Sequence, residues 1–158
     1  MSTSPLEKVR MYVQQYQPDL EPILFDEPLE TAEEAARALG VEVGQIAKTI
    51  LFRAGGKYAL FVAAGDVRIH SKRVKVALGT GKTKMASPNE VEAVTGFCVG
   101  AVCPFALQME VPIYVDRSLQ RFSQVYTAAG IAESLLPVTY ASLLQMTGAE
   151  EIDAASGE

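Results

Sequence analysis

The chain has few of the residues from which most hydrolytic and metal sites are built. Its 158 residues include one histidine, two cysteines and no tryptophan. No Gly-x-Ser-x-Gly segment occurs, so a serine nucleophile would lack both its usual turn and a histidine near it in sequence. Cys98 and Cys103 have no second cysteine or histidine pair to complete a zinc site. We therefore expect no nucleophilic triad, no metal and no cofactor.

Membrane and export signals are also lacking. No apolar run approaches the ~20 residues that span a bilayer. Residues 1–7 show neither the basic nor the apolar region of a signal peptide. Two cysteines without such a signal favour free thiols in a reducing compartment. These features predict a cytoplasmic protein with no membrane partner.

Acidic residues outnumber basic ones, but the two signs are unevenly distributed. The net charge of −5 argues against a nucleic-acid partner for the chain as a whole. Residues 67–84 nevertheless contain no acidic residue and six basic ones, which are Arg68, Lys72, Arg73, Lys75, Lys82 and Lys84. A positive patch on an acidic body suits a phosphate backbone. The ordinary alternative is a solvated basic helix face.

Helix caps and short apolar runs predict a mixed α/β domain. Caps or capping boxes at Ser4, Thr31, Ser87 and Thr139 begin four helices, and Ser71 is predicted to cap a fifth over residues 71–78. Strands are predicted at 22–25, 48–53, 58–64, 83–86, 111–115 and 123–127. Without strict βαβ alternation, this order favours a mixed, largely antiparallel, barrel-like sheet covered by helices.

The length suits one domain with a proper core. We predict that the domain occupies residues 1–148, including the N-terminal helix at 4–17. Residues 149–158 are small and acidic, and we predict a disordered tail there.

Two short segments are the candidate site. Lys48 lies at the mouth of an apolar run, where a charge costs several kcal/mol unless something offsets it. The alternative is a lysine whose stem packs and whose ammonium stays in water. Residues 100–104 have the form Gly-x-x-x-Pro, in which the glycine permits close backbone approach and the proline stiffens the exit. One ammonium and several amides suit the binding of a carbonyl or an ester.

The same residues carry a resemblance. The segments that match are Ala47-Lys48-Thr49-Ile50-Leu51, Gly65-Asp66, Thr95-Gly96, Val99-Gly100-x-x-x-Pro104 and Val125-Tyr126-x-x-x-Gly130. In this order they resemble the YbaK/ProX family, free-standing relatives of the editing domain inserted in bacterial prolyl-tRNA synthetases. The resemblance covers about residues 20–148 and implies the mixed sheet described above. It also implies hydrolysis of the ester of wrongly charged aminoacyl-tRNA.

The resemblance assigns roles to individual residues. Lys48 and Gly100 would form the catalytic centre, with Lys48 holding the terminal adenosine or the carbonyl and stabilising negative charge in the transition state. The implied substrate-binding residues are Phe25, Thr31, Thr49, Ala101, Val102, Cys103, Pro104 and Ala128. The basic residues expected to face tRNA are Arg68, His70, Lys72, Arg73, Lys75 and Lys82. Water would attack without a dedicated protein base.

Two positions leave alternatives open. Cys103 lies inside the 100–104 segment and could be a thiol nucleophile, although an apolar filler is the commoner role without a histidine beside it. Family members that act on cysteinyl-tRNA carry a serine in a Tyr-x-Ser-Gly-Gly segment, where this chain has Ala128. This difference puts cysteine-specific chemistry in doubt.

The prediction is therefore a trans-editing aminoacyl-tRNA deacylase that removes a small amino acid such as Ala, Ser, Cys or Thr, with tRNA(Pro) as a candidate carrier. Its expected partner is the acceptor end of tRNA, with a synthetase as a further candidate and no DNA. The alternatives are a non-catalytic module that binds tRNA or a synthetase, and a hydrolase of small esters.

Overall fold

The computed structural model describes residues 4–79 and 82–154. Within this part the helices are α1 (Pro5–Gln14), α2 (Ala32–Leu39), α3 (Ser71–Leu78), α4 (Pro88–Thr95) and α5 (Tyr140–Thr147). The strands are β1 (Ile23–Leu24), β2 (Ala47–Ala54), β3 (Lys57–Ala64), β4 (Thr83–Met85), β5 (Ile113–Asp116), β6 (Val125–Thr127), β7 (Ser134–Val138) and β8 (Glu150–Ile152). Short 3₁₀ helices occupy Val43–Gln45 and Arg117–Arg121. No helix in the described part is long and apolar enough to cross a membrane.

Side-chain caps begin most of the helices where the sequence predicts them. Thr31 Oγ1 accepts the Glu34 N–H at 3.0 Å at the start of α2. Ser87 and Glu90 form a reciprocal capping box at the start of α4. Helix α3 differs, because Ser71 is its first residue and His70 is the N-cap without a side-chain bond. The His70 N–H instead donates to the Ala154 carbonyl at 2.8 Å, so a distant segment helps to fix this helix start.

The strands form two sheets. One has the order β4-β2-β3-β5-β8 and the other the order β1-β7-β6. Four of the strand pairs are antiparallel, while β5 pairs in parallel with both β3 and β8. A parallel bridge between Ile46 and Tyr126 links the two sheets just before β2 begins. The mixed α/β class and the largely antiparallel pairing are confirmed, with the strands divided between two linked sheets.

Strands β7 and β8 were not predicted. Strand β7 contains Pro137, which has no N–H to donate and so makes the run read as a poor strand. Strand β8 lies in the segment predicted to be a disordered tail. That prediction is wrong for residues 150–154, because Glu150–Ile152 pairs with β5 and the buried Ala154 donates its N–H to Asp116 Oδ1 at 2.7 Å. Residues 155–158 lie outside the described part.

Helices cover both faces of the β2–β3 hairpin. Val74 and Leu78 of α3 pack in one cluster with Phe52 and Phe61. On the other face, α4 packs in a cluster that includes Leu51 and Leu60. Neither of these clusters includes the first residues of β2, and those residues line the cavity described next.

Candidate active site

A cavity of about 160 Å³ lies where the start of β2 meets the loop before α2, the loop after α4 and strand β7. Six of its lining residues are ones that the sequence analysis selected: Thr31, Lys48, Thr49, Gly100, Val102 and Ala128. The others are Leu29, Glu30, Ala32, Ala35, Ile46, Ala47, Ala132, Ser134 and Leu135. Segments that are far apart in sequence therefore meet beside Lys48, in a lining that also includes Glu30 and two threonines.

Lys48 is half-buried at this cavity. Its Nζ donates a hydrogen bond to the Val67 carbonyl, in the turn that follows β3. Burial lowers the pKa of the Lys48 ammonium, and the negative charges of Asp66 and Glu33 partly oppose this shift. An ammonium carries three N–H donors, so the bond to Val67 leaves two for a ligand. Lys48 is therefore a partly desolvated cation with free donor capacity.

Asp66, whose charge acts on Lys48, is paired with an arginine. The Arg121 guanidinium donates to both Asp66 oxygens, at 2.7 and 3.1 Å. This pairing lowers the pKa of Asp66, so the carboxylate stays ionised and is a poor general base. The preceding Gly65 allows the turn to pass close to the 3₁₀ helix, because a Cβ there would lie 2.7 Å from the Val43 carbonyl oxygen. The turn thus supplies both the acceptor and one of the countercharges for Lys48.

Thr49 has the least satisfied polar group in the described part of the chain. Its Oγ1 is the one buried side-chain nitrogen or oxygen there without a hydrogen-bond partner. Leaving a buried hydroxyl unpaired costs about 1–3 kcal/mol. Thr49 lines the cavity, but its Oγ1 is itself buried, so a ligand could reach this hydroxyl only if the surrounding atoms shift.

The loop after α4 contributes to the cavity through two positions. Gly100 and Val102 line it, and Gly100 has a φ of +93°. An added Cβ at Gly100 would meet nothing within 4 Å, so glycine is needed there for its backbone conformation and not for space. The Ala101 N–H donates to the Cys98 carbonyl at 2.9 Å and is engaged within the loop.

Four predicted substrate-binding residues do not line the cavity: Phe25, Ala101, Cys103 and Pro104. Phe25 packs behind the wall, against a cluster that includes Ile46 and Leu135. Cys103 is fully buried, and burial raises the pKa of its thiol to about 12. A thiol with this pKa stays protonated near neutral pH and is a poor nucleophile.

The sequence analysis missed Glu30 and Ser134 as lining residues. Glu30 directly precedes Thr31, so its position beside a selected residue was the available signal. Ser134 begins the unpredicted strand β7. Its Oγ donates to the Ile131 carbonyl at 2.7 Å and accepts the Ala129 N–H at 3.0 Å. Ser134 therefore shapes the wall that carries Ala128 and has both of these bonds within the protein.

The basic residues form a separate surface. Arg68, His70, Lys72, Arg73, Lys75 and Lys82 are all exposed, and none of them lines the cavity. An Arg73 N–H donates to the Asp153 carbonyl, which ties the start of α3 to the segment after β8. Within residues 4–79 and 82–154, no cluster of three histidine, cysteine or acidic residues is placed to hold a metal ion.

Comparison with known proteins identifies relatives over most of the chain. The sequence profile of the family described as "Aminoacyl-tRNA editing domain" matches residues 26–146. The uncharacterized protein YwhH of Bacillus subtilis is 38% identical over 135 residues, which are 85% of each chain. A protein of Enterococcus faecalis named as a candidate Cys-tRNA(Pro)/Cys-tRNA(Cys) deacylase is 28% identical over 76% of this chain and 74% of its own.

A solved structure resembles this chain over its whole length. The crystal structure described as that of a candidate trans-editing enzyme for prolyl tRNA synthetase superposes with a TM-score of 0.90 at 30% identity. The match covers 99% of this chain and 100% of that one.

Proposed function

The chain belongs to the aminoacyl-tRNA editing domain family, and we propose that it acts in trans as a deacylase for tRNA mischarged with a small amino acid. The observation that carries the proposal is the placement of Lys48 and Gly100 on one small cavity. Action in trans is supported by the free-standing relatives, whose lengths this chain largely covers.

In the proposed reaction, water attacks the carbonyl carbon of the ester. The bond from that carbon to the ribose oxygen then breaks, the ribose oxygen takes up a proton, and the free amino acid leaves. The two remaining Lys48 donors would stabilise the negative charge that develops on the carbonyl oxygen. Thr49 Oγ1, which has no hydrogen-bond partner in the part of the chain that the structure describes, would bond to the substrate after a local shift that exposes it. No side chain is assigned as a base.

The cavity volume supports selection by size. At about 160 Å³ it lies below the ~300–1,000 Å³ typical of sites for larger ligands. Alanyl, seryl, cysteinyl and threonyl groups are the proposed substrates, and one methylene among them is worth only ~1–3 kcal/mol of discrimination. Bulky side chains would overlap the wall. The names of the relatives support tRNA(Pro) as a carrier.

A deacylation panel tests the proposal. Several tRNAs, including tRNA(Pro), are charged with Ala, Ser, Cys, Thr, Leu or Phe, and the release of labelled amino acid is measured with and without the protein. We expect release of the small amino acids and little release of Leu or Phe. A preference for Leu or Phe would contradict the picture of the cavity. Binding of tRNA without release of any amino acid would favour a non-catalytic module.

A further inference from the structure

Arg121 and Asp66 form an ion pair beside the turn to which Lys48 is bonded. The pair joins the 3₁₀ helix at Arg117–Arg121 to the turn after β3 through two N–H···O bonds, of 2.7 and 3.1 Å. Bidentate pairs of this kind are strong and well oriented. Neither residue lines the cavity. An effect of the pair on the reaction must therefore pass through another residue, and Lys48 is the cavity residue on which the charge of Asp66 acts.

The Arg121 guanidinium is held from several sides. Its Nε donates to the Ser118 carbonyl at 2.7 Å, and its Cζ lies 4.9 Å from the centre of the Phe122 ring. The hydrogen bond to Asp66 raises the pKa of Arg121, and the charges of Glu42 and Asp116 raise this pKa further. Arg121 is therefore an oriented and permanent cation.

The Asp66 carboxylate is also confined on the side of the first 3₁₀ helix. A Cβ added at Gly44 would lie 3.0 Å from Asp66 Oδ2 and 2.8 Å from the Phe122 ring. Glycine at this position lets both side chains pack against the helix. The carboxylate and the arginine therefore have a fixed arrangement.

Lys48 makes no ion pair within the described part of the chain, although the charges of Asp66 and Glu33 both act on it. Its Nζ donates instead to the carbonyl of Val67, the residue that follows Asp66. A carboxylate is a stronger acceptor for an ammonium than a neutral carbonyl is. The stronger acceptor in this turn is occupied by Arg121.

We propose that Arg121 is a positioning residue that keeps the Asp66 carboxylate away from the Lys48 ammonium, so that two ammonium donors remain available to the substrate. The use of those donors rests on the proposed function. Without Arg121, the carboxylate would pair with Lys48, occupy its donors and neutralise the charge that the reaction needs. At its present position, Asp66 raises the pKa of Lys48 against the effect of burial. Asp66 thus helps to keep Lys48 protonated without bonding to it.

The alternative is that the ion pair only holds the turn in place. Loss of either partner would then be equally harmful, and loss of both would be no better. Under the proposal the two losses differ, because the loss of Arg121 is harmful only while Asp66 is present. The side chains of Arg121 and Asp66 are 45% and 39% exposed, and pairs this exposed contribute little to stability. Variants at both positions should therefore fold.

Titration of Lys48 tests the first step of the proposal without any tRNA. The pKa of Lys48 is measured from its ¹³Cε resonance in each variant. We expect Arg121→Gln to raise this pKa, because the carboxylate of Asp66 then pairs with the ammonium. Asp66→Asn should lower it. Arg117→Gln is the matched control and should leave it unchanged, since Arg117 lies in the same 3₁₀ helix, is equally exposed and pairs with Asp153 at 2.7 Å.

Deacylation of a mischarged tRNA tests the second step, with single-turnover rates measured at neutral pH. Arg121→Gln should reduce the rate about tenfold, less than the loss of the whole Lys48 ammonium. Adding Asp66→Asn to Arg121→Gln should restore the rate to within about threefold of the wild type, a coupling that a double-mutant cycle measures. Arg121→Lys should give an intermediate rate, because a lysine lacks the planar fork that holds both oxygens. Arg117→Gln should keep the wild-type rate.

The proposal is overturned if Arg121→Gln leaves the pKa of Lys48 unchanged, or if the double variant is no more active than Arg121→Gln alone. If Arg121→Gln does not fold, Arg121→Lys with and without Asp66→Asn gives the same comparison. Failure of the proposed function is a different result. The pKa of Lys48 would then respond to Arg121 and Asp66 as expected, which supports the arrangement, while neither the wild type nor any variant released an amino acid.

Discussion

The Lys48 cavity and the basic surface around α3 both present positive charge, but they do so in opposite ways. The cavity has one half-buried ammonium whose position is set by the Val67 carbonyl and whose pKa is lowered by burial. The basic surface has five exposed lysine and arginine side chains together with His70, and Arg73 is held by a backbone carbonyl. A desolvated charge acts strongly over a short distance, whereas exposed charges are screened by salt and act together. A single substitution should therefore reduce activity strongly in the cavity, whereas a single substitution on the basic surface should weaken tRNA binding only slightly.

The largest expected effect is at Lys48. Lys48→Ala should reduce deacylation of a mischarged tRNA by ~10²-fold or more, the scale of losing one preorganised donor. The melting temperature should change little, because removing a partly desolvated charge offsets the lost hydrogen bond to Val67. Single-turnover rates and thermal unfolding measure the two effects. Activity close to that of the wild type would show that the cavity does not need its charge.

Gly100→Val should come next. At a φ of +93° any side chain strains the backbone, by about 1–3 kcal/mol, and the loop would move away from the cavity. Gly55→Val is a matched control, since Gly55 has a φ of +62° in the β2–β3 turn and an equally open surrounding. Both variants should lose stability, and only Gly100→Val should also lose activity. Equal loss of activity in the two would reduce the role of Gly100 to folding.

Charge reversal on the basic surface should weaken tRNA binding in steps, one for each phosphate contact that is lost. Lys72→Glu with Lys75→Glu should weaken tRNA binding and lower the salt slope by ~0.7–0.9 per lost phosphate contact. The turnover rate at saturating tRNA should survive, because neither residue lines the cavity. Lys57→Glu, at an exposed lysine in the β2–β3 hairpin, is the control. If Lys57→Glu weakened tRNA binding as much per reversed charge as the α3 changes do, the α3 surface would have no special role in binding.

The two cysteines test whether Lys48 is the only reactive group at the site. Cys103→Ala should keep most of the activity and cost about 1 kcal/mol of stability, as small core deletions do. Cys98→Ala should change neither, because Cys98 is exposed. Activity and chemical denaturation report the outcome. Complete inactivation by Cys103→Ala would favour a thiol mechanism despite the raised pKa.

The smallest expected effect is on the pKa of Lys48 itself. Its ¹³Cε resonance should titrate below the ordinary pKa of a lysine, because burial disfavours the charged form. Glu33→Gln removes a charge that raises this pKa, so it should lower the pKa further. An activity that needs the charged Lys48 is lost as the pH rises through the pKa of this group. In Glu33→Gln that loss should occur at a lower pH than in the wild type. A Lys48 pKa at or above the ordinary lysine value would contradict the desolvation of this ammonium.

Most of the fold could be predicted because its signals are local. Thr31 and Ser87 cap their helices through residues three positions along, and the β2–β3 hairpin joins two apolar runs through a short turn. Strands β7 and β8 could not be predicted in the same way. Strand β7 contains a proline, and β8 is an acidic segment whose partner, β5, lies more than thirty residues earlier.

The candidate site was predicted less completely. Lys48 and Gly100 were selected because one lies at the mouth of an apolar run and the other begins a Gly-x-x-x-Pro segment, and the family match added Thr49. Phe25 was selected in the same way, yet it packs behind the wall, because an apolar residue near a site and one that lines it look alike in sequence. Glu30 was missed because an exposed acidic residue beside a helix cap is common.

The sequence by itself determined where most helices begin and end, which strands form the central hairpin, and that the positive charge is concentrated in one segment. These properties depend on residues close to one another along the chain. Only the tertiary structure decided that the Cys103 thiol is buried with a raised pKa, that the Thr49 hydroxyl has no hydrogen-bond partner in the described part of the chain, and that distant segments enclose one cavity beside Lys48. Burial, an unpaired group and a cavity lining all depend on contacts between distant segments, and those contacts exist only once the chain has folded.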